Sequence, residues 1–416
     1  MSGAKAVPET CDIAIVGGGT AGLSLATALK KLGVRDILVL EREPEAGGVP
    51  RHCGHYPFGL REYKRLMKGP DYARRNVEAA KAAGVRLFTG ITVTALHPGG
   101  RLSLLGPAGK GTVQARRVVL CTGLRESSRA QRFIGGQRPL GVLSTGALQA
   151  MIYLQGLRPF RRPVILGSEL VSFSAIMTCR HLGIKPVAMI EENERITVRQ
   201  FMRPYPALKG VALVLGARDL RIMGERHVEA VRYIDSGGEP QEIVTDGVIV
   251  SGRFRPESAL MRMGHLAVDQ ASGGPSVDQF GRCSDPAYFA TGNLLRPVET
   301  SSWCWHEAAA CAERVAQDLE NNDLAEAPTV PLSAAHPAIK YVVPQRLAVS
   351  ARQGGMDNMQ LRLAEPVNGY LLATSGGKTL LKHRLRARPE RRILAPLESL
   401  LSAGLSAPVS LTIEAG

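Results

Sequence analysis

The residues best equipped for chemistry in this 416-residue sequence fall in three places. Cys53 stands between His52 and His55 in a Gly- and Pro-rich run, RHCGHYPFG. A thiolate beside a protonatable imidazole is a nucleophile suited to attacking a disulfide. The plainer alternative is a cysteine and two loop histidines that pack or hydrogen-bond. His306, two residues past Cys304 and beside Trp303 and Trp305, is the second candidate. At the start of a helix it would stay neutral and act as base on a substrate N–H or O–H; alternatively the two tryptophans form a subunit interface that His306 caps. Arg51 and Arg125 are the third, as anion clamps for a carboxylate or phosphate, or as contacts to a bound cofactor's own phosphates.

These side chains need elements to hold them, and the segment before Cys53 supplies a strong one. Ile13, Ile15 and Val16 form a short buried β run, Gly17-x-Gly19-x-x-Gly22 follows at once, and Ala21 to Leu32 reads as a helix. Gly17 permits a tight turn, Gly19 keeps side-chain atoms away from a pyrophosphate, and Gly22 lets the helix pack on the strand. The helix N-terminus, with Thr20 and Ala21 in its first turn, offers free N–H groups to phosphates. Ile37 to Leu40 make a second strand ending at Glu41 and Arg42, where a carboxylate accepts ribose hydroxyls. Strand, glycine turn, helix, strand and acid in this order make a dinucleotide-binding unit.

The pattern recurs at Pro163 to Glu191: strand to Leu166, Gly167, helix through His181, strand Val187 to Ile190 and acid at Glu191. Here Glu169 stands at the position of the second glycine and Ser172 at the third. A glutamate there brings bulk and negative charge against negative phosphates, so NAD(P)H binding at this copy is doubtful.

Between and beyond the copies, Tyr72 to Ala83 reads as a helix, Val113 to Cys121 as a strand running into Thr122-Gly123, and Ser144 to Leu154 as a helix capped by Ser144 or Thr145. Val211 to Leu220, Arg226 to Ile234 and Ile243 to Ser251 are β segments. Tyr288 to Asn293 is a short strand and a Gly292-Asn293 turn, and Thr300, Ser301 and Ser302 offer N-caps to a helix over 303–319. A Pro- and Ala-rich stretch, 327–337, reads as a linker to a C-terminal β-rich module, 338–416, with strands near 341–347, 359–364, 369–373, 379–385 and 409–413. The fold expected is α/β: a dinucleotide-binding domain at 1–158 and 248–326, a second one at 159–247 inserted in it, and the module.

Composition narrows the class. With 52 Lys and Arg against 37 Asp and Glu the net charge is +15, concentrated at Arg61–Arg75 and Lys382–Arg392. Neither stretch carries a nucleic-acid motif, and 5% aromatics leave few stacking platforms, so solvated or subunit-facing basic surfaces are expected. The Pro389–Arg392 turn reads as a docking surface. Seven cysteines, scattered and without a CxxC pair, argue against a disulfide framework, a zinc site or an iron–sulfur cluster built by this chain alone. No apolar run is long enough to span a bilayer, and MSGAKAVPET lacks the apolar core of a signal peptide, so a cytoplasmic protein is expected.

Taken together, Gly17-x-Gly19-x-x-Gly22 with Glu41, Thr122-Gly123, and Tyr288-Phe289-Ala290-Thr291-Gly292-Asn293 resemble the two-dinucleotide-binding flavoproteins of the disulfide-reductase-like superfamily. Over residues 11 to 320 the chain looks like the flavin subunits of heteromeric opine, proline or hydroxyproline dehydrogenases and of hydrogen cyanide synthase. The stretch Gly47 to His55, with Phe58-Gly59 and Gly69-Pro70-x-Tyr72-Ala73, is also similar to flavoproteins that accompany anaerobic glycerol-3-phosphate dehydrogenase-type subunits.

The resemblance implies FAD on the first copy, with Gly48, Thr122, Gly123, Gly292 and Asn293 joining the glycine loop and Glu41 around it. It also implies that Cys53, His52 and His55 lie near the flavin ring and that hydride passes from substrate carbon to flavin N5. The CxxxxC pair of disulfide reductases and the cysteine-rich iron–sulfur module of some opine oxidase subunits are missing, so any cluster belongs to a partner subunit. Three functions follow as expectations: the FAD-binding subunit of a multi-subunit dehydrogenase for an amine, amino acid, opine or hydroxy-compound; a self-sufficient NAD(P)H-dependent disulfide or quinone reductase using Cys53; or a non-catalytic flavin scaffold.

Overall fold

Runs apolar on both faces become parallel strands covered on both sides, and the chain builds two such sheets. The computed structural model describes residues 6–321, 328–349, 354–389 and 391–416. It divides into two compact units, one of residues 1–48, 73–124 and 255–416, the other of 49–72 and 125–254.

In the first unit Thr10–Val16 is the central strand. Ile37–Glu41 lies parallel on one side and Gly109–Leu120 on the other, with Val16 level with both Leu40 and Leu120. Arg86–Thr89 extends the sheet beyond Ile37–Glu41, and Tyr288–Ala290 pairs parallel to the end of Gly109–Leu120. Thr92–His97 and Arg101–Gly106 form an antiparallel meander onto the first half of that long strand. On one face, Ile13, Ile15, Val39 and Val119 pack against Leu23, Leu25 and Leu29 of helix Thr20–Lys31 and against Ala308, Cys311 and Val315 of helix Ser301–Asn321. The other face, with Val16, Leu38, Leu40 and Leu120, shares a core with Leu294, Leu295, Tyr341 and Val343.

Tyr341 and Val343 come from the C-terminal module, which therefore packs within the first unit. One of its sheets runs in the order Arg346–Ala348, Thr329–Ala334, Val409–Ala415, Val367–Ser375, Lys378–Ala387; the other is Ile339–Val343, Asn358–Leu363, Ile393–Pro396. Leu332, Leu371, Ala373 and Leu411 of the first and Val342, Met359, Leu361 and Ala395 of the second form one core. Residues 329–334, expected in the 327–337 linker, are a strand: Val330 and Leu332 turn inward, opposite Leu347 and Val409. Pro328 and Pro331 masked that alternation in the sequence. Residue 327 of the expected linker, 322–326 at the expected end of the first domain, and Glu390 of the expected docking turn lie outside the described residues.

The second unit repeats the scheme with a fully parallel sheet in the order Ala212–Leu215, Ala188–Glu191, Val164–Leu166, Val248–Val250, Val142–Ser144. Helix Leu170–His181 follows the central strand, and helix Thr145–Gln155 starts with Ser144 Oγ accepting from Ala147 N at 3.2 Å. The segments read as single strands over 211–220 and 243–251 each split in two, the first at Gly216 with φ +71 and the second at Thr245–Gly247. Arg218–Met223, Ala230–Ile234 and Pro240–Val244 pair antiparallel in a separate sheet, to which Gly135–Gly136 adds parallel to the first of them. Residues 49–72 and 125–158, expected with the first domain, cluster here because Cys53 and Gly54 seat on helix Thr145–Gln155: a Cβ at Gly54 would meet the Tyr153 ring at 2.1 Å.

Among the described residues no helix is long and apolar enough to cross a membrane. Nor does any group of three or more His, Cys, Asp or Glu among them stand ready to hold a metal ion.

Candidate functional site

Gly17, Gly19 and Gly22, after Thr10–Val16, are glycine for different reasons. At Gly17, φ is +110 and a Cβ would meet Cys121 O at 2.5 Å; at Gly22 a Cβ would lie 2.0 Å from Gly17 O. Both are demanded by the chain itself. Gly19 is otherwise: it takes an ordinary extended φ of −81, and its Cβ would find nothing closer than Gly48 Cα at 3.8 Å. No protein atom requires a bare backbone there. Gly19 is the N-cap of helix Thr20–Lys31 and gives it no side-chain cap, so the positive helix end opens into this space.

Around it stand walls from distant parts of the first unit. Gly47 N donates to Gly18 O at 2.8 Å, and a Cβ on Gly48, whose φ is +63, would strike Gly19 Cα at 2.7 Å. Glu41, buried at the strand end, accepts from Gly18 N and Glu43 N, each at 2.8 Å, while Arg42 is exposed beside Glu43. A Cβ at Gly292 would meet Ala21 Cβ at 2.9 Å, which brings the Thr291–Asn293 turn against the helix start. The buried hydroxyls of Thr20 and Thr291 on either side of that contact have no hydrogen-bond partner in the chain, an uncommon state for buried polar atoms. Thr122 Oγ1 donates to Glu257 O at 2.8 Å and Gly123 O accepts from Glu257 N at 2.9 Å, so this pair anchors the returning chain.

Asn293 uses its side chain locally: Oδ1 accepts from Glu299 N at 2.7 Å and Nδ2 donates to Glu299 O at 3.0 Å. Glu299 in turn accepts from Arg362 at 2.8 Å and from Arg392. Arg392 also stacks on Trp303, its guanidinium 3.4 Å from the ring centroid. Part of the basic stretch expected to face solvent or a partner is thus tied inward at Arg392, while Lys382 stays at the surface, paired with Glu414 at 2.7 Å.

Beside the turn, Arg296 is 1% exposed; it donates to Gly292 O at 2.9 Å, to Glu307 Oε2 at 3.0 Å and Oε1 at 2.7 Å, and to Gln360 Oε1 at 2.7 Å. Burial alone would lower its pKa; the Glu307 and Glu299 carboxylates outweigh that and hold it above the ordinary value. Sequence reading missed Arg296, Glu299, Glu307 and Gln360, since pairings across 11 to 64 residues leave no periodic signal.

Helix Ser301–Asn321 is capped by Thr300, whose Oγ1 accepts from Trp303 N at 3.3 Å. Cys304 is buried toward the turn, 3.8 Å from where a Gly292 Cβ would be. His306 lies about 200° further round the helix and is exposed, its ring against Trp305.

Cys53, His52 and His55 belong to the second unit. Cys53 is 7% exposed; its Sγ bonds Val49 O at 3.4 Å and Gln149 Oε1 at 3.6 Å, and burial pushes the thiol up to about 12. A neutral thiol is what this setting holds. His55 Nδ1 faces Tyr56 O at 2.9 Å with its ring 5.5 Å from that of Phe58, and His52 is half-buried in the turn Val49–His52. Arg51 is half-buried and Arg125 exposed, also in this unit.

The second glycine loop keeps the turn and fills the space. Gly167 has φ +114 and a Cβ there would meet Ser251 O at 2.7 Å, the counterpart of Gly17. Glu169 is N-cap to helix Leu170–His181 in the same extended conformation as Gly19. Its carboxylate accepts from Arg253 N at 2.6 Å and lies where a Gly252 Cβ would be. Burial raises its pKa, with the Arg253 N–H and the Arg132 charge opposing. Ser172 Oγ bonds Ser251 Oγ at 2.9 Å, and Glu191 is taken up by Ser168, by Asn193 N at 3.0 Å and by Thr197 at 3.3 Å.

A family model described as pyridine nucleotide-disulphide oxidoreductase matches residues 11–312. An opine oxidase subunit of Agrobacterium tumefaciens (strain Ach5) is 24% identical over 326 residues, 70% of this chain and 63% of the relative. The chain thus spans less than two thirds of that relative's length. The ferredoxin reductase component of chlorobenzene dioxygenase from Cupriavidus sp. (strain PS12) is 26% identical, covering 73% of this chain and 74% of its own. Among solved structures, T. acidophilum thioredoxin reductase aligns with a TM-score of 0.62 at 20% identity, over 76% of this chain and 99% of that one.

Proposed function

The chain belongs to the pyridine nucleotide-disulphide oxidoreductase family, and the relatives named above are oxidases and reductases; on that premise we propose that it is the FAD-binding subunit of a multi-subunit dehydrogenase. Its substrate class is an amine, amino acid, opine or hydroxy-compound, and the electrons leave to a partner subunit. One relative is by name a subunit of an opine oxidase, hence part of an assembly, which supports the subunit role.

One observation carries the assignment of the two loops: Gly19 leaves open the space that the Glu169 side chain fills in the second copy. FAD fits the open one. The N–H groups of the Thr20–Lys31 helix start would hold its pyrophosphate, Glu41 its ribose, and the Thr20 and Thr291 hydroxyls its remaining polar atoms. FAD bound there supplies a two-electron acceptor for hydride leaving a substrate carbon. The N-terminus of helix Ser301–Asn321 brings a positive end to the Gly292 turn, where negative charge is favoured.

In the second copy a carboxylate already stands at the helix N-terminus, and a nicotinamide dinucleotide would have to displace it. Reducing equivalents therefore enter with the substrate. Cys53, His52, His55 and His306 play no part in this reading; Cys53 packs on Gln149 and His55 on Phe58.

The purified full chain should be yellow and should take up FAD stoichiometrically. Anaerobic mixing with NADH or NADPH should leave the flavin oxidised. Bleaching within milliseconds would overturn the dehydrogenase reading in favour of a self-sufficient NAD(P)H-dependent reductase, and a colourless protein that refuses FAD would end the flavin reading itself.

A further inference from the structure

The C-terminal module lies outside the family match, yet it reaches the turn proposed above to face the flavin. Strand Asn358–Leu363 carries Gln360, 6% exposed, into the first unit's interior. Its Oε1 accepts from Arg296 Nη2 at 2.7 Å and its Nε2 donates to Glu307 Oε1 at 2.9 Å. Arg296 and Glu307 themselves grip both polar atoms of Gly292: the carbonyl accepts from Arg296 at 2.9 Å, and the amide donates to Glu307 Oε2 at 3.1 Å. Gln360 therefore closes a ring of buried hydrogen bonds whose product is the orientation of one peptide turn.

Three more residues of the module act further along the same loop. Arg362, two residues on in the same strand, and Arg392 both bind Glu299, whose backbone is stapled to the Asn293 side chain. Tyr341 Oη donates to Pro297 O at 2.6 Å between them. The stretch from Gly292 to Glu307 thus takes Gln360, Arg362, Arg392 and Tyr341 as anchors from a module outside the family match.

We propose that the C-terminal module is a built part of the flavin site, with Gln360 as the positioning residue that sets the Gly292 turn through Arg296 and Glu307. This rests on the flavin reading, and it adds a reason for the module to exist within this chain. A turn whose donor and acceptor are both held by a low-dielectric hydrogen-bonded network stays fixed when charge develops beside it. Loosening it should weaken FAD and alter its electronic environment together.

Gln360→Leu keeps the shape and removes both bonds. Leu361→Val is the control: same strand, opposite face, in the module's own core. In the flavin-free full chain, amide exchange over 291–307 should speed up in Gln360→Leu and match wild type in Leu361→Val. With FAD, Gln360→Leu should raise Kd by about tenfold, as for loss of a hydrogen bond to a charged group, and should shift the flavin's visible spectrum and reduction potential. Leu361→Val should leave all three unchanged while lowering Tm comparably. Gln360→Glu, which keeps the acceptor for Arg296 but sets a carboxylate against Glu307, is the gentler second variant and should move the same readouts. Wild-type exchange and flavin spectrum in both Gln360 variants would overturn the proposal, as would equal changes in Leu361→Val. A wild-type chain that takes up no FAD overturns the flavin reading and this proposal with it.

Discussion

Adding one methyl group at residue 19 and one at residue 22 should separate what the fold needs from what the ligand needs. At Gly22 the new carbon would lie 2.0 Å from Gly17 O, so Gly22→Ala must shift backbone, at about 1–3 kcal/mol of stability. At Gly19 it would sit 3.8 Å from its nearest neighbour, so Gly19→Ala should leave the flavin-free Tm unchanged. It should nevertheless cut FAD affinity by about tenfold or more, since the methyl occupies the space a pyrophosphate would use. Thermal melts with and without FAD check both. A Gly19→Ala chain that binds FAD as wild type does would remove the ligand from that space.

At the scale of the element, Ser144 is a clean case of a local signal that the fold obeys. Its Oγ accepts from Ala147 N at 3.2 Å, and Ser144→Ala should cost about 1 kcal/mol in urea unfolding, with Ser144→Asp restoring most of it. An unchanged midpoint in Ser144→Ala would mean the cap contributes nothing. Such signals explain why so much was readable. Both βα units, the Ser144 cap and the helix after Thr300 follow from periodicity, glycine and capping residues within about a dozen positions of one another.

What escaped had no local signature. The strand Thr329–Ala334 hid behind two prolines, and the membership of 49–72 depends on Gly54 fitting under Tyr153, a contact between segments far apart in the chain. Around the first glycine turn, Gly17, Gly22 and Glu41 were legible because a tight strand-to-helix turn constrains backbone within a short stretch. Arg296, Glu307 and Gln360 were not, because a buried ion pair and its amide partner are specified only by the tertiary packing. The reactivity read into Cys53 rested on neighbours in sequence; in space its partners are Val49 and Gln149.

For the molecule as a whole, the seven cysteines give a pH dependence with a definite sign. All are buried, and desolvation raises Cys53, Cys179 and Cys304 from 9.0 to about 12. Unfolded thiols release their protons near 9.0 while the folded ones keep theirs, so above that pH the unfolded state binds fewer protons. The thiols' share of stability is therefore full below pH 9.0 and is lost progressively toward about 12, each fully titrating group removing about 1.4 kcal/mol per pH unit. Urea unfolding from about pH 8 to 11 should show the decline, and Cys53→Ser should make it shallower; an identical slope in that variant would count against a buried, protonated Cys53. The order of strands in the C-terminal module has a consequence of another kind. Val409–Ala415 sits in the middle of its sheet, between Thr329–Ala334 and Val367–Ser375. Both neighbours precede it in the chain, so neither can complete its pairing until Val409–Ala415 docks between them. Until then each presents an open strand edge, a target for chaperones or for another copy of the chain.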